Sequence, residues 1–371
     1  MRRALAAALA IVVGCGGGDD DGPGERSPDA AGGGQSDAAA EPAFAPGEAM
    51  TLTIANPAED EDPSVLRAAD GMMVVAWFGR VDGNADLFLA STRDGATWTG
   101  PVRITTSPDD DFAPHLIQTS DGWFHLTWFR REPGPTYFAR VRHSRTMDLA
   151  AWQPDDEIDV ADADPIEDWV PTIAERPDGD LQIVLVSRIR DESGPHDLYT
   201  ATSDDGGETW SEVAPLAALN DAAEQDHLPY LARTGAELTL VWNRCDADPA
   251  TPWTNPTSDV LASTSSDGDS WSAPRPITAD DDGGVLDVFP ALFADHADTW
   301  SLVWVTTALE PTGTVVALPL DGAYPDERAA LPMTGYSPRV AATPTDGVFL
   351  GAWVEGEIGE QNIRARFFSR D

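Results

Sequence analysis

Ser203-Asp204-Asp205-Gly206-Gly207-Glu208-Thr209-Trp210 spells out a turn in side chains. The aspartate can accept backbone N–H bonds inside the turn, glycine supplies a positive φ, and the closing tryptophan can staple the hairpin to its neighbour. Two copies one residue shorter follow the same chemistry, Thr92-Arg93-Asp94-Gly95-Ala96-Thr97-Trp98 and Ser265-Ser266-Asp267-Gly268-Asp269-Ser270-Trp271, and a worn fourth ends at Trp152. Alternating residues such as Ala85-Asp86-Leu87-Phe88-Leu89-Ala90 lead into these turns. Interleaved with them is a second unit: Asp-x-x-Pro, a short apolar stretch, a turn often containing Asp-Gly, then alternation ending in tryptophan. Its starts are Asp60-Glu61-Asp62-Pro63, Asp111-Phe112-Ala113-Pro114, Asp168-Trp169-Val170-Pro171, Asp226-His227-Leu228-Pro229, Asp287-Val288-Phe289-Pro290 and the departure Gly335-Tyr336-Ser337-Pro338. The matching strand ends carry Trp77, Trp128, Trp242, Trp304 and Trp353, with Val186 in the third copy. Period-two alternation between turn signals means strands, not helices.

Six copies of about fifty to sixty residues, each able to supply four antiparallel strands, predict an all-β, six-bladed β-propeller over residues 49–371. Closure is legible too. Asn362 to Ser369 reads as a third strand lacking a fourth, and Met50-Thr51-Leu52-Thr53-Ile54 as a fourth strand lacking a blade. Pairing them would complete the last blade with the N-terminal strand and hide both edges.

The Ser203–Trp210 stretch resembles the Asp-box of sialidase-like propellers, and the repeat as a whole is similar to that family over roughly residues 50 to 371. In that family Asp-boxes join the third and fourth strands of a blade, away from the ligand site. The start of the chain resembles a bacterial lipoprotein signal: Arg2-Arg3, an apolar run from Ala4 to Val13, then Val12-Val13-Gly14-Cys15. That resemblance implies removal of residues 1–14, acylation of Cys15, and residence in the bacterial cell envelope, at the outer membrane. The apolar run is too short to span a bilayer. Residues 15–48, rich in Gly, Asp, Ala and Pro, bury too little apolar surface to offset ordering entropy and read as a flexible tether.

Sixty-four acidic against 23 basic side chains give a formal charge of −41, which repels phosphate backbones and argues against nucleic acid as a partner. Every basic residue is arginine. Without lysine there is no Schiff-base chemistry, no pyridoxal phosphate attachment and no P-loop. The six histidines show no zinc-type spacing, and no Gly-x-Ser-x-Gly elbow occurs. No cofactor is expected. Asp109-Asp110-Asp111 and Asp280-Asp281-Asp282 offer hard oxygen ligands of the sort Ca2+ takes, though without EF-hand spacing.

In propellers of the resembled family the loops entering each first strand and leaving each second strand surround the central opening, where ligands bind. Here the entering loops are acidic, with Asp111, Asp168 and Asp287 among them, and the leaving loops carry Arg80, Arg130, Arg131, Arg188, Arg190 and Arg244. These groups either cap turns and pair with one another across the ring or contact a ligand; Arg80, Arg131, Arg188, Arg244, Asp111, Asp168 and Asp287 are the ligand-binding candidates. Sialidases use an arginine triad for the sugar carboxylate, a tyrosine nucleophile activated by a glutamate, and an aspartate acid/base. The resemblance places Tyr336 at the nucleophile, Asp82 at the acid/base, Asp226 near the glutamate and Arg244 at one clamp position. Glu61 stands where the family has a clamp arginine, and Val305-Thr306-Thr307-Ala308-Leu309-Glu310 offers no other. The expectation is a monomeric, lipid-anchored propeller that binds a glycan or cell-surface protein without sialidase activity, the alternative being a glycoside hydrolase using Asp82, Asp226 and Tyr336. No metal site is expected.

Overall fold

The computed structural model describes residues 44–52, 59–132, 138–152, 157–160, 168–187, 196–221, 223–246, 258–278, 285–307, 313–322, 324, 326–356 and 359–370. Six four-stranded sheets follow one another, every pairing antiparallel. Their inner strands are Asp60–Arg67, Asp110–Gln118, Asp168–Glu175, Glu224–Thr234, Asp287–Ala294 and Tyr336–Ala342. Each contacts the next and the sixth contacts the first, so the ring closes. The sixth blade takes its outer strand from the N-terminal side: Met50 pairs with Ala365 and Thr51 with Arg364. Phe44, 2% exposed, packs on Phe367 and secures that seam.

The Asp-x-x-Pro starts fold alike in all six blades. The residue before each proline, Asp62, Ala113, Val170, Leu228, Phe289 or Ser337, has φ between 46° and 58°. Register with the second strand shifts there, two residues opposing one. This is a β-bulge that holds a non-glycine residue in the left-handed region, at a cost of roughly 1–2 kcal/mol each. Facing the bulge is the tryptophan of the second strand, and its indole supplies a compensating bond. Trp77, Trp128, Trp242 and Trp304 donate from Nε1 to Asp60, Asp111, Asp226 and Asp287 at 2.8–3.1 Å.

The third blade corrects one expectation. Trp169 pairs with Val186 and Thr172 with Val184, so Leu185, not Val186, faces the bulge in the tryptophan's place. A strand shifted by one residue presents its other face, which is why Val186 could not have substituted. Without an indole, Asp168 Oδ1 has no hydrogen-bond partner among the described residues. In the sixth blade Gly335 replaces the aspartate because a Cβ there would overlap the Val354 carbonyl, and Trp353 Nε1 accordingly lacks a partner among the described residues.

The sequence-defined turns also share a pattern. Asp94 Oδ1 accepts from Ala96 and Thr97 N–H, Asp267 Oδ1 from Asp269 and Ser270 N–H, and Asp205 from both N–H and Oγ1 of Thr209. These bonds favour the ionised form and hold Asp205 and Asp267 down at about 2. Trp98 reaches back to Phe367 of the sixth blade and Trp210 to His143 of the second. The stretch before Trp152 instead forms a short 3-10 turn, Leu149–Ala151, capped by Asp148.

Third strands run parallel to first strands, so these turns lie at the end where the inner strands finish. The bulges, together with the turn at Asp82-Gly83 between Met73–Val81 and Asn84–Thr92, lie at the opposite end. That end is called the mouth below.

Candidate functional site

Three rings of side chains line the axis inward from the mouth, one from each repeat position. Directly after each aspartate or Gly335 come Glu61, Phe112, Trp169, His227, Val288 and Tyr336. The bulge residues Asp62, Ala113, Val170, Leu228, Phe289 and Ser337 form the second ring. After each proline come Ser64, His115, Thr172, Tyr230, Ala291 and Arg339.

The innermost ring locks neighbouring blades together. Ser64 Oγ accepts from Leu116 N–H, His115 Nδ1 from Ile173 N–H, and Thr172 Oγ1 from Leu231 N–H, each at 2.9–3.0 Å and each one blade on. Arg339 sits over the Tyr230 ring, 5.4 Å from its centroid, and donates from Nη1 to Pro338 O. Its remaining donors make no hydrogen bond among the described residues, and Asp62 is the carboxylate acting on it. Below this ring the axis opens into a cavity of about 410 Å³ lined by all six inner strands, with His115 and Tyr230 in its wall.

The first and sixth blades make the mouth acidic on one side. Burial, then the neighbouring Asp62 and Glu59, push the Glu61 carboxyl well above the carboxylate range despite the opposing charge of Arg80. Burial raises Asp62 to about 6, against the pull of Arg339 and the Ser337 hydroxyl. Tyr336, 3% exposed, is raised by burial and by Glu61, Asp62 and Glu59, so its phenol stays protonated. Its hydroxyl makes no well-formed hydrogen bond; the Gln361 side chain is beside it.

The expected site residues have different surroundings. Asp82 is exposed at the mouth, with φ 54° in the Asp-Gly turn. Asp226 is fully buried, accepting from Trp242 Nε1 and, through both oxygens, from Arg244 Nε and Nη2 at 2.7 and 3.0 Å. Neither aspartate is among the groups acting on Tyr336; the carboxylates around that phenol are Glu61, Asp62 and Glu59. Asp111 is likewise buried, held by Trp128 and by Arg130 Nε and Nη2. Asp168 and Asp287 are buried at the bulges of their blades. Arg80 pairs with Glu59 and Asp110, Arg131 with Asp110, and Arg130 also with Glu157. Arg188 and Cys15 lie outside the described residues, as does Asp280-Asp281-Asp282. Among the described residues no three His, Cys, Asp or Glu side chains gather as a metal site, and no helix is long and apolar enough to cross a membrane.

Sequence reasoning missed Asp62, Tyr230 and Arg339. Their signal was positional: each occupies a fixed offset from the repeat's proline, so stacking the six starts would have placed them on the axis.

The chain matches no protein-family model. No curated protein matches it either. Solved structures do share its fold. A protein of unknown function from Dyadobacter fermentans is 16% identical over 88% of this chain and 99% of its own, with a TM-score of 0.67. An α-L-arabinanase of Penicillium chrysogenum, complexed with arabinobiose, is 11% identical over the same shares, also at 0.67. A Hadza microbial sialidase is 14% identical over 84% of this chain and 65% of its own, at 0.55. The six-bladed propeller is thus a fold used by glycoside hydrolases, and at these identities the likeness concerns the fold.

Proposed function

We propose that this protein is a carbohydrate-recognising propeller whose mouth takes an uncharged glycan, without sialidase activity. The observation that carries this reading is the commitment of four described arginines at the rim of the mouth. Arg80, Arg130, Arg131 and Arg244 are all held by carboxylates of their own fold, and a carboxyl, Glu61, occupies a clamp position. An anionic sugar would meet carboxylates and a formal charge of −41. A neutral sugar finds complementary partners instead: donors on Arg339 and an acceptor at Asp62. That solved proteins of this fold act on arabinose-containing and sialic-acid-containing compounds supports a saccharide over other ligand classes.

A glycoside hydrolase is the second reading, and one feature favours it: the Glu61 carboxyl, pushed up by burial and by Asp62 and Glu59, acts on the buried Tyr336 phenol at the mouth. Hydrolysis would then draw its proton from Glu61, since Asp226 is committed to Arg244 and Trp242.

The test is to incubate the purified protein with a panel of aryl glycosides including a sialoside and to probe a glycan array with it. Binding of neutral glycans without turnover supports the reading. Turnover of the sialoside would overturn it, and turnover of a neutral glycoside lost in Glu61→Gln would establish the second. The same protein is proposed to work as a monomer in the bacterial cell envelope, acylated at Cys15; mass spectrometry of the N-terminal peptide from cells decides that.

A further inference from the structure

Round the mouth from Phe78, the cross-strand partner of Glu61, the lining changes character. From the first blade to the fourth, aromatic rings follow one another at contact distance: Phe78 to Phe112 at 4.9 Å, Phe112 to Phe129 at 5.3 Å, Phe129 to Trp169 at 6.5 Å and nearly parallel, Trp169 to His196 at 5.9 Å, and His196 to His227 at 4.9 Å. The steps from Phe78 to Phe112, Phe129 to Trp169 and His196 to His227 each cross a boundary between blades. Phe78, Phe112 and His196 are buried, whereas Phe129, Trp169 and His227 remain half-buried. Three of the six rings of the arc thus keep part of their surface accessible. The fifth blade continues it with Val288 in place of a ring.

We infer that the ligand is an oligosaccharide, not a single sugar, with its terminal unit at the axis and the following units lying across Phe129, Trp169 and His227. This rests on the reading of the mouth as a neutral-glycan site. Pyranose and furanose rings present C–H faces that pack on aromatic faces, while their edge hydroxyls need polar partners. The arc supplies the former, and Asp62, Arg339 and Glu61 supply the latter around the terminal unit, with Arg80 and Arg131 beside Phe112. The charge of the chain chooses among ligands that could lie on aromatic rings: anionic chains such as polyuronates or nucleic acid would cross a strongly negative surface.

Titration calorimetry of the purified protein with linear neutral xylo-, cello- and arabino-oligosaccharides of one to six units tests this. In at least one series the affinity should climb with length over the first few units and then level. Trp169→Leu should weaken the longer ligands by roughly tenfold, the scale of one lost aromatic stacking contact, and so flatten the dependence of affinity on length. Phe129→Leu, a second variant on the same arc, should act likewise if Trp169→Leu misfolds, as judged by circular dichroism. Monosaccharide binding as tight as the hexamer, or length dependence untouched in both folded variants, would sink the arc but leave the axial site standing. Binding of no neutral saccharide, or of polyuronate in preference, would remove both.

Discussion

His115 Nδ1 accepts a 2.9 Å hydrogen bond from the backbone N–H of Ile173, one blade further round the ring. That bond requires an unprotonated Nδ1, so a buried imidazole serves as neutral mortar between the second and third blades. Burial, with Arg339 nearby, drops its pKa to about 3; His125 and His143, whose rings bond to each other at 3.1 Å, are lowered to about 4 and about 3.

A histidine with a depressed folded pKa contributes stability above its unfolded value near 6.5 and loses it as pH falls below that. Replacing His115 by Asn, whose Oδ1 can accept the same bond, removes one such loss. His115→Asn is expected to gain on the wild type by roughly 2 kcal/mol between pH 7 and pH 5. Urea unfolding at the two pH values measures it, and a constant difference would contradict it.

The buried carboxyls act in the opposite direction. Asp60 is raised by burial to about 7, and Asp62 and Asp168 to about 6. For a group whose folded pKa is raised, stability is present while the group stays protonated and is lost as pH rises from the unfolded value near 4 through the folded one. With Glu61 and Asp197, which burial also raises, and with the relief of self-repulsion on acidification, they outweigh the three histidines. Thermal unfolding should therefore occur at a higher temperature at pH 5 than at pH 8. Glu61→Gln should match the wild type at pH 5 and exceed it at pH 8; parallel curves would refute the buried acid.

Asp226→Ala leaves Arg244 and the Trp242 indole without their shared acceptor, and breaking such a buried pair costs about 3–5 kcal/mol. Asp226→Asn keeps an acceptor for the indole and should cost less. Denaturant midpoints rank the two. If Asp226→Ala is as stable as the wild type, the carboxylate is not structural and its candidacy for chemistry returns.

Two tryptophans in equivalent places should respond differently to the same change. Trp304→Phe removes the indole donor to the buried Asp287 carboxylate, whereas Trp353 has no acceptor among the described residues, Gly335 having no side chain. The first should lose roughly 1–3 kcal/mol more than the second. Equal losses would mean that the indole bond contributes nothing.

The sequence spoke clearly wherever a residue's role is local. The Ser203–Trp210 turn, the six Asp-x-x-Pro starts and the pairing of Met50 with the last strand all rest on neighbours close along the chain or on period-two alternation. It was silent wherever a role depends on partners from other blades. Asp111 and Asp226 look like ligand-facing acids in a loop; only the fold shows indoles and guanidinium groups enclosing them. Val186 looked like the missing tryptophan because one residue of register is invisible without the opposing strand. Phe129 and Trp169 lie on strands of different blades and His196 just before the strand Asp197–Ser203, and no spacing rule joins them.

The strand that seals the sixth blade is also the one nearest to residues 15–48. A pull transmitted from a fixed point upstream would arrive first at Phe44 and at Met50–Thr51, a short seam of two register pairs flanked by the backbone bonds of Gly47 and Leu52 to the last strand. Mechanical load would unfasten the outermost strand and expose the edge of Asn362–Ser369 before disturbing the axis, so the seam would act as a fuse that yields early and spares the ligand site.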